Sequence, residues 1–262
     1  MQLQVLLSAM HLDDNSIVEK LNITGDVLVI NQCDTESDQT HVEKDRTIRV
    51  ISTTDRGLSI SRNRAIDNSD AEICILCDND VVYRDGYKEA IKGAFEAHKD
   101  ADICVFFIKR PERNLPIKKS EGKLGYLGAM KIFSPEIAFR RKALGGLRFN
   151  ESFGAGAEYG MGEENIFLWE AIKKGLNVYY IPMEIAHTMP NESTWFKGYD
   201  DRFFINRGAG YYAMAKSFWW VLALQFAVRK IGLYKNDNSF INAMKCMSKG
   251  MNDYRQKIKA QV

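Results

Sequence analysis

Residues 73–80 read Ile73-Cys74-Ile75-Leu76-Cys77-Asp78-Asn79-Asp80, five apolar residues running straight into two acids. A short apolar run with β-branched residues predicts a buried strand, and in α/β sheets ligands gather beyond the carboxyl ends of the strands. Asp78 and Asp80 are therefore expected at the mouth of a site. Hard carboxylate oxygens there suit Mg²⁺ or Mn²⁺, and through the metal the phosphates of a nucleotide. Asp and Asn are also common turn formers, so the tripeptide taken alone favours a plain turn, and the rest of the chain has to decide.

Further strand-like runs lie at 4–8, 27–31, 47–52 and 103–108, and helical patterns lie near 13–21, 59–66 and 85–98. Strands separated by helices predict a parallel sheet, and right-handed crossovers would bring the polar strand ends to one edge. Those ends carry Ser8-Ala9-Met10, Asn31-Gln32 and Asp78-Asn79-Asp80. Residues 110–128 hold two prolines and little periodicity and are expected as a surface excursion. Ser134-Pro135-Glu136 reads as a helix start, with Ser as N-cap and Pro at the first helical position.

Farther on, a glycine-rich stretch from Gly154 to Gly162 leads into Glu163-Glu164-Asn165 and an apolar helical run, 166–172, closed by two lysines. Acids at the first turn and lysines at the last suit the helix dipole, which accounts comfortably for one glutamate. The glycines would also let backbone approach a ligand. A strand is expected at 178–182. His187 then falls in a polar loop with Asn191, Ser193, Thr194 and Trp195, where a ligand role and a structural one are evenly balanced.

At 262 residues the chain is long enough for one large α/β domain with a smaller addition. Hydrophobic residues at 45% and charged residues at 27% are ordinary for a globular protein. A net charge of +2 provides no polycation to hold nucleic acid. The five cysteines, Cys33, Cys74, Cys77, Cys104 and Cys246, mostly sit in apolar runs, which predicts buried thiols in a reducing, cytoplasmic compartment. Cys74 and Cys77 have the spacing of a zinc or redox pair, yet a strand would point them to opposite faces. The N-terminus reads as a first strand and not as a signal peptide. The apolar stretch 218–228 is too short to span a bilayer; it fits a buried helix or a helix lying on a membrane.

Taken in order, these features resemble an inverting glycosyltransferase of family 2 over roughly residues 1–195. They are the first strand, the polar end of the second, the segment Gly57-Leu58-Ser59-Ile60-Ser61-Arg62-Asn63-Arg64-Ala65-Ile66, the acids Asp78-Asn79-Asp80 and the downstream Gly162-Glu163-Glu164. The resemblance implies the GT-A fold, a Rossmann-like, mostly parallel sheet flanked by helices. It divides the chain into a catalytic domain, 1–195, and a helical C-terminal extension, 196–262, packed on it or touching membrane. It further implies that Asp78 meets the nucleotide ribose and that Asp80, with Asp78 and His187, holds Mn²⁺ or Mg²⁺. Ser8, Met10, Asn31, Gln32, Arg62 and Asn79 would line the nucleotide. Glu164 would be the base and Glu163 would bind the acceptor hydroxyl. The family usually has Glu-Asp at this pair and two aspartates at the end of the second strand, where this chain has Glu163-Glu164 and Asn31-Gln32.

The expected activity is transfer of one sugar from a nucleotide-sugar, a UDP-hexose by default, to a hydroxyl of a saccharide acceptor. Lipid-linked acceptors, surface-polysaccharide assembly and peripheral contact with the inner membrane face all fit. The Gln-x-x-Arg-Trp motif of processive synthases is absent. Two rivals stand beside this reading: a haloacid-dehalogenase-like phosphatase using Asp78 and Asp80, whose motif normally lies on the first strand, and a non-catalytic carbohydrate-binding protein.

Overall fold

A computed structural model describes residues 1–43, 45–189 and 198–260. Asn191, Ser193, Thr194, Trp195 and the expected boundary at 195/196 lie outside the described residues. In chain order the elements are β1 (Leu3–Met10), α1 (Ser16–Lys20), β2 (Asp26–Gln32), β3 (Ser37–Glu43), β4 (Arg46–Thr53), α2 (Leu58–Asn68), β5 (Ile73–Asp78), β6 (Val81–Tyr83) and α3 (Tyr87–Ala97). They continue with β7 (Ile103–Lys109), β8 (Gly122–Lys123), α4 (Tyr126–Ala129), β9 (Ile137–Arg140), α5 (Glu163–Lys173) and β10 (Val178–Thr188). Four helices close the chain: α6 (Asp201–Ala215), α7 (Trp219–Arg229), α8 (Ile231–Tyr234) and α9 (Phe240–Ala260).

One sheet runs β3-β4-β2-β1-β5-β9-β7-β10-β6, with β8 also paired to β10. The half built from β4, β2, β1 and β5 is parallel, as the strand–helix alternation predicts. The other half is mixed. β9 lies antiparallel between β5 and β7, and β6 closes antiparallel on β10.

Side chains alternate across the sheet and divide the core in two. On one face Leu3, Val5 and Leu7 of β1 and Ile73, Ile75 and Cys77 of β5 pack with Tyr87, Ile91 and Phe95 of α3. On the other, Leu6, Cys74 and Leu76 join Ala65 and Ile66 of α2, Ile166 and Phe167 of α5, and residues of α6, α7 and α9. Cys74 and Cys77 thus face opposite ways, as expected, and burial pushes the Cys74 thiol up to about 11 and that of Cys77 higher still. No zinc or redox pair forms between them.

Two expectations from local pattern give way. Ser134-Pro135-Glu136 is a single 3₁₀ turn and not the start of a helix, and it delivers the chain into β9. Pro135 fixes the turn, but Ile137-Ala138-Phe139 then pairs with both β5 and β7, so tertiary hydrogen bonding overrides the N-cap signal. His187 lies within β10 and not in a polar loop; the strand passes Pro182 and continues to Thr188 through register shifts between Tyr180 and Ala186.

The C-terminal helices are clamped onto the second core face where α6 crosses α9. Gly208 lies against the Met247 carbonyl and Gly250 against the Ile205 carbonyl, so tightly that a Cβ at either position would overlap the opposing backbone. At its far end α9 reaches the loop before α5. The Tyr254 hydroxyl accepts from Asn150 Nδ2 at 2.6 Å, Lys257 pairs with Glu158 at 2.6 Å, and the Phe153 ring packs edge-on to Tyr254. Among the described residues no helix is long and apolar enough to cross a membrane.

Candidate active site

α2 brings the site together because polar side chains of its first turns face inward, while Ala65 and Ile66 farther along enter the core. Ser59, Ser61, Arg62 and Asn63 are all buried. Ser61 Oγ donates to Ser8 Oγ at the end of β1 (2.8 Å). Ser59 Oγ donates to the Phe153 carbonyl (2.6 Å), while Asn63 exchanges bonds with the backbone of Phe149 (2.8 and 3.0 Å). One turn of polar residues therefore anchors both the sheet edge and the loop that leads to α5.

Arg62 occupies the centre. Its Nη2 donates to Asp78 Oδ1 (2.9 Å) and Oδ2 (3.3 Å), and its Nη1 donates to Glu163 Oε1 (2.9 Å). The guanidinium also sits 5.5 Å from the centre of the Phe149 ring. Burial opposes the cation, but the two carboxylates outweigh it and its proton affinity is raised. A guanidinium suits this place because its rigid fork can serve two carboxylates at once.

Glu163 and Glu164 open α5 behind Gly162, which takes the left-handed conformation at φ 90°. Glu163 is buried and also accepts from Ser134 Oγ at 3.5 Å. Glu164 forms no salt bridge among the described residues. Burial first, then the neighbouring Glu163 charge, pushes its carboxyl up to about 8, against a smaller pull from Arg62. The pair is therefore divided in role. Arg62 compensates Glu163, and Glu164 is left with a proton affinity in the range of a general base working near neutral pH.

The glycines before α5 serve backbone contact. Gly154, at φ 105°, lies so close to Glu163 that a Cβ would come within 3.2 Å of its carboxyl carbon, and Gly156 packs on the backbone of Gly57. The Leu58 amide donates to the Ala155 carbonyl at 2.9 Å. The glycine-rich stretch thus lets the loop seat itself on the start of α2.

Asp78 and Asp80 flank the turn between β5 and β6, both half-buried, with Asn79 exposed between them. Burial, together with the Asp78 charge, raises the proton affinity of Asp80, and Arg110 opposes this. A divalent cation would relieve that strain, so the residues fit one: two carboxylate oxygens on a partly dry edge, with phosphate oxygens and water for the remaining positions, suit Mg²⁺ or Mn²⁺. The ladder between β10 and β6 sets His187 opposite Val82 on the same edge, exposed, and the Met189 amide donates to the Asp80 carbonyl at 2.8 Å. Among the described residues no three His, Cys, Asp or Glu side chains form a ready-made metal cage.

The other expected nucleotide contacts fall at neighbouring strand ends. Ser8 is in register with both Ile30 and Asp78, and Met10 is exposed beside them. The amides of Asn31 and Gln32 are engaged with their own chain. Asn31 bonds both backbone groups of Leu12 (2.9 and 3.2 Å), and Gln32 Nε2 donates to the carbonyls of Asp55 and Gly57. Through the Asp55 and Gly57 carbonyls, Gln32 fixes the approach to α2.

Sequence reasoning missed Arg110, at the end of β7. Its guanidinium stacks 4.4 Å over the Phe133 ring and pairs with Glu112 at 3.3 Å. Burial weakens its hold on the proton, while Glu112, Glu164 and Asp80 strengthen it. Its charge thus acts on both Asp80 and Glu164 through space. Its turn is pinned by Arg113, which bonds the fully buried Glu136 and exchanges backbone hydrogen bonds with Arg110 (2.9 and 3.0 Å). The only sequence signal was a basic pair in a segment that read as loop.

Residues 15–153 match the family described as Glycosyl transferase family 2, just over half of the chain. The chain belongs to that family and is a glycosyltransferase with the GT-A fold. Among solved structures it is similar to S. aureus TarS residues 1–349 in complex with UDP-GlcNAc, at 14% identity and a TM-score of 0.65, covering 97% of this chain and 90% of that one. The same S. aureus protein in complex with UDP aligns with a TM-score of 0.61 and 14% identity, covering 90% and 74%. No curated protein matches the chain in sequence. The family match ends before Glu163, so the Glu163-Glu164 pair and the C-terminal helices lie beyond it.

Proposed function

We propose that the chain transfers a single sugar, with inversion, from a UDP-hexose to a hydroxyl of a saccharide acceptor, in the assembly of a surface polysaccharide or glycoconjugate. The observation that carries this is the continuous chain of contacts from Asp78 through Arg62 to Glu163, with the high-affinity Glu164 carboxyl next to it. It joins a nucleotide-type edge to a base-type pair across the parallel half of the sheet.

In this account Asp78, fixed by Arg62, receives the ribose hydroxyls, with Ser8, Met10 and Asn79 along the same strand ends. Asp80, with Asp78 and the nearby His187, would hold Mn²⁺ or Mg²⁺, which when bound offsets the charge that builds on the leaving diphosphate. Arg110 adds a protein cation on that side. Glu164 takes the proton from the acceptor hydroxyl as its oxygen attacks the anomeric carbon, on the face opposite the departing diphosphate. Glu163 orients that hydroxyl and shares charge with Arg62. Because Glu163 Oε1 is already committed to Arg62 and Ser134, its positioning part is the better supported. A lipid-linked saccharide is the acceptor class that fits the apolar C-terminal helices.

The test is Glu164→Gln, which keeps the shape and removes the base. Release of UDP from a panel of UDP-hexoses with oligosaccharide acceptors should fall by roughly 10²–10⁴-fold while UDP binding is retained. A fully active Gln variant would move the base elsewhere. For the phosphatase rival, phosphate release from phosphomonoesters that depends on Asp78 would be required.

A further inference from the structure

α7 is apolar except for Gln225 and the terminal Arg229, yet only one side of it is covered. Leu222, Ala223, Phe226 and Ala227 pack inward on the core shared with α6 and α9. The opposite stripe carries Trp220, Val221, Leu224 and Val228, exposed by 52, 43, 42 and 56%. Phe218 precedes it at 70% exposed, and Ile231 and Leu233 of α8 extend it. A helix apolar on every face is normally buried on every face, and clustered exposed apolar side chains mark a contact surface.

The charge around this stripe is one-sided. Residues 216–236, which carry the stripe, contain four basic residues, Lys216, Arg229, Lys230 and Lys235, and no acid before Asp237. Lys216 lies just before α7 and Arg229 and Lys230 end it, all exposed and in no salt bridge among the described residues. An eleven-residue helix is about 16 Å long, too short to span a bilayer but long enough to lie in its surface. Aromatic residues at one end, aliphatic residues along the outer stripe and cations at both ends are the features of an interfacial helix.

We propose that the outer face of α7 and α8 docks on an anionic lipid surface, with Trp220, Leu224 and Val228 entering the acyl boundary and Lys216, Arg229 and Lys230 meeting the headgroup charge. A protein partner would need no such uniform sign of charge. The docking needs no sugar transfer, so it and the proposed activity fail separately.

The experiment is vesicle flotation of the chain with phosphatidylcholine alone and with phosphatidylcholine containing phosphatidylglycerol, at low and high salt. The chain should float with the anionic vesicles only, and much less at 1 M salt. Trp220→Ser with Leu224→Ser and Val228→Ser should reduce vesicle binding at least tenfold. The surface charge variant Lys216→Gln with Arg229→Gln and Lys230→Gln should do the same with an unchanged circular dichroism spectrum and unchanged UDP binding. Failure of the wild-type chain to float would overturn the proposal, as would wild-type flotation by the charge variant. Self-association that the serine variant abolishes, without vesicle binding, would assign the face to a second copy and overturn it as well.

Discussion

Arg62 and Glu163 lie 101 positions apart in sequence and are joined by a 2.9 Å hydrogen bond between buried groups. The other arm of the same guanidinium holds Asp78. The bond couples α2 to α5, so the position of the two carboxyls in the site depends on a side chain that need not touch the acceptor.

Replacing Arg62 by Ala should destabilise the fold by about 3–5 kcal/mol, because it leaves two partly buried carboxylates uncompensated. Arg62→Lys is the sharper test. A single ammonium cannot serve both partners in the guanidinium geometry, so the Lys variant should fold, bind UDP more weakly and turn over at least tenfold more slowly. Chemical denaturation and calorimetry on the two variants would check this.

Glu164 gives a pH dependence of definite sign. Its folded-state carboxyl is raised to about 8 from an ordinary value of 4.5, so the fold favours the protonated form. The stability linked to this group is fully present below 4.5 and is lost as pH rises through about 8. Glu164→Gln should therefore melt higher than wild type at pH 9, and the difference should vanish at pH 4. Catalysis runs the other way: a base must be ionised, so kcat/KM should climb with pH and level off above about 8. A flat profile from pH 6 to 9 would rule out the perturbed carboxyl.

Arg110 should matter to the donor more than to the fold. Its partners are one exposed acid and a ring, while Asp80 and Glu164 act on its charge through space. Arg110→Ala should leave the melting temperature within a few degrees of wild type and weaken UDP binding about tenfold, as expected for the loss of a charge-assisted contact. UMP, with one phosphate fewer, should be less affected.

The crossing of α6 and α9 admits no side chain. Gly208→Ala or Gly250→Ala forces the helices apart and should cost at least about 1–3 kcal/mol. Because α9 also braces the loop before α5 through Tyr254 and Lys257, activity should fall with stability, and thermal melts alongside UDP release would show both.

The parallel half of the sheet was legible because buried parallel strands are written as apolar runs, and Ile73 to Cys77 followed by two acids marks both a strand and its end. β3 was not legible. Its seven residues are all exposed, and only pairing with β4 holds it. β9 was masked by the stronger local signal of Ser134-Pro135-Glu136, and the pairings that make it a strand come from β5 and β7, both more than thirty positions earlier in the chain. The candidate site residues were picked out by type and order, but the relation among them was not. Nothing near Arg62 in sequence says that it bridges Asp78 and Glu163, and nothing near Arg110 says that a basic loop residue folds back toward Asp80. Asn31 and Gln32 carry the opposite lesson, since polar residues at strand ends can be consumed by the backbone they cap.

The most direct measurement is isothermal titration calorimetry of UDP, GDP and dTDP against the chain and its Asp80→Ala variant, with and without Mn²⁺. The account predicts tight binding of UDP alone, dependent on Mn²⁺ and lost in the variant. Metal-independent binding that Asp80→Ala leaves unchanged, or no nucleotide binding at all, would contradict it.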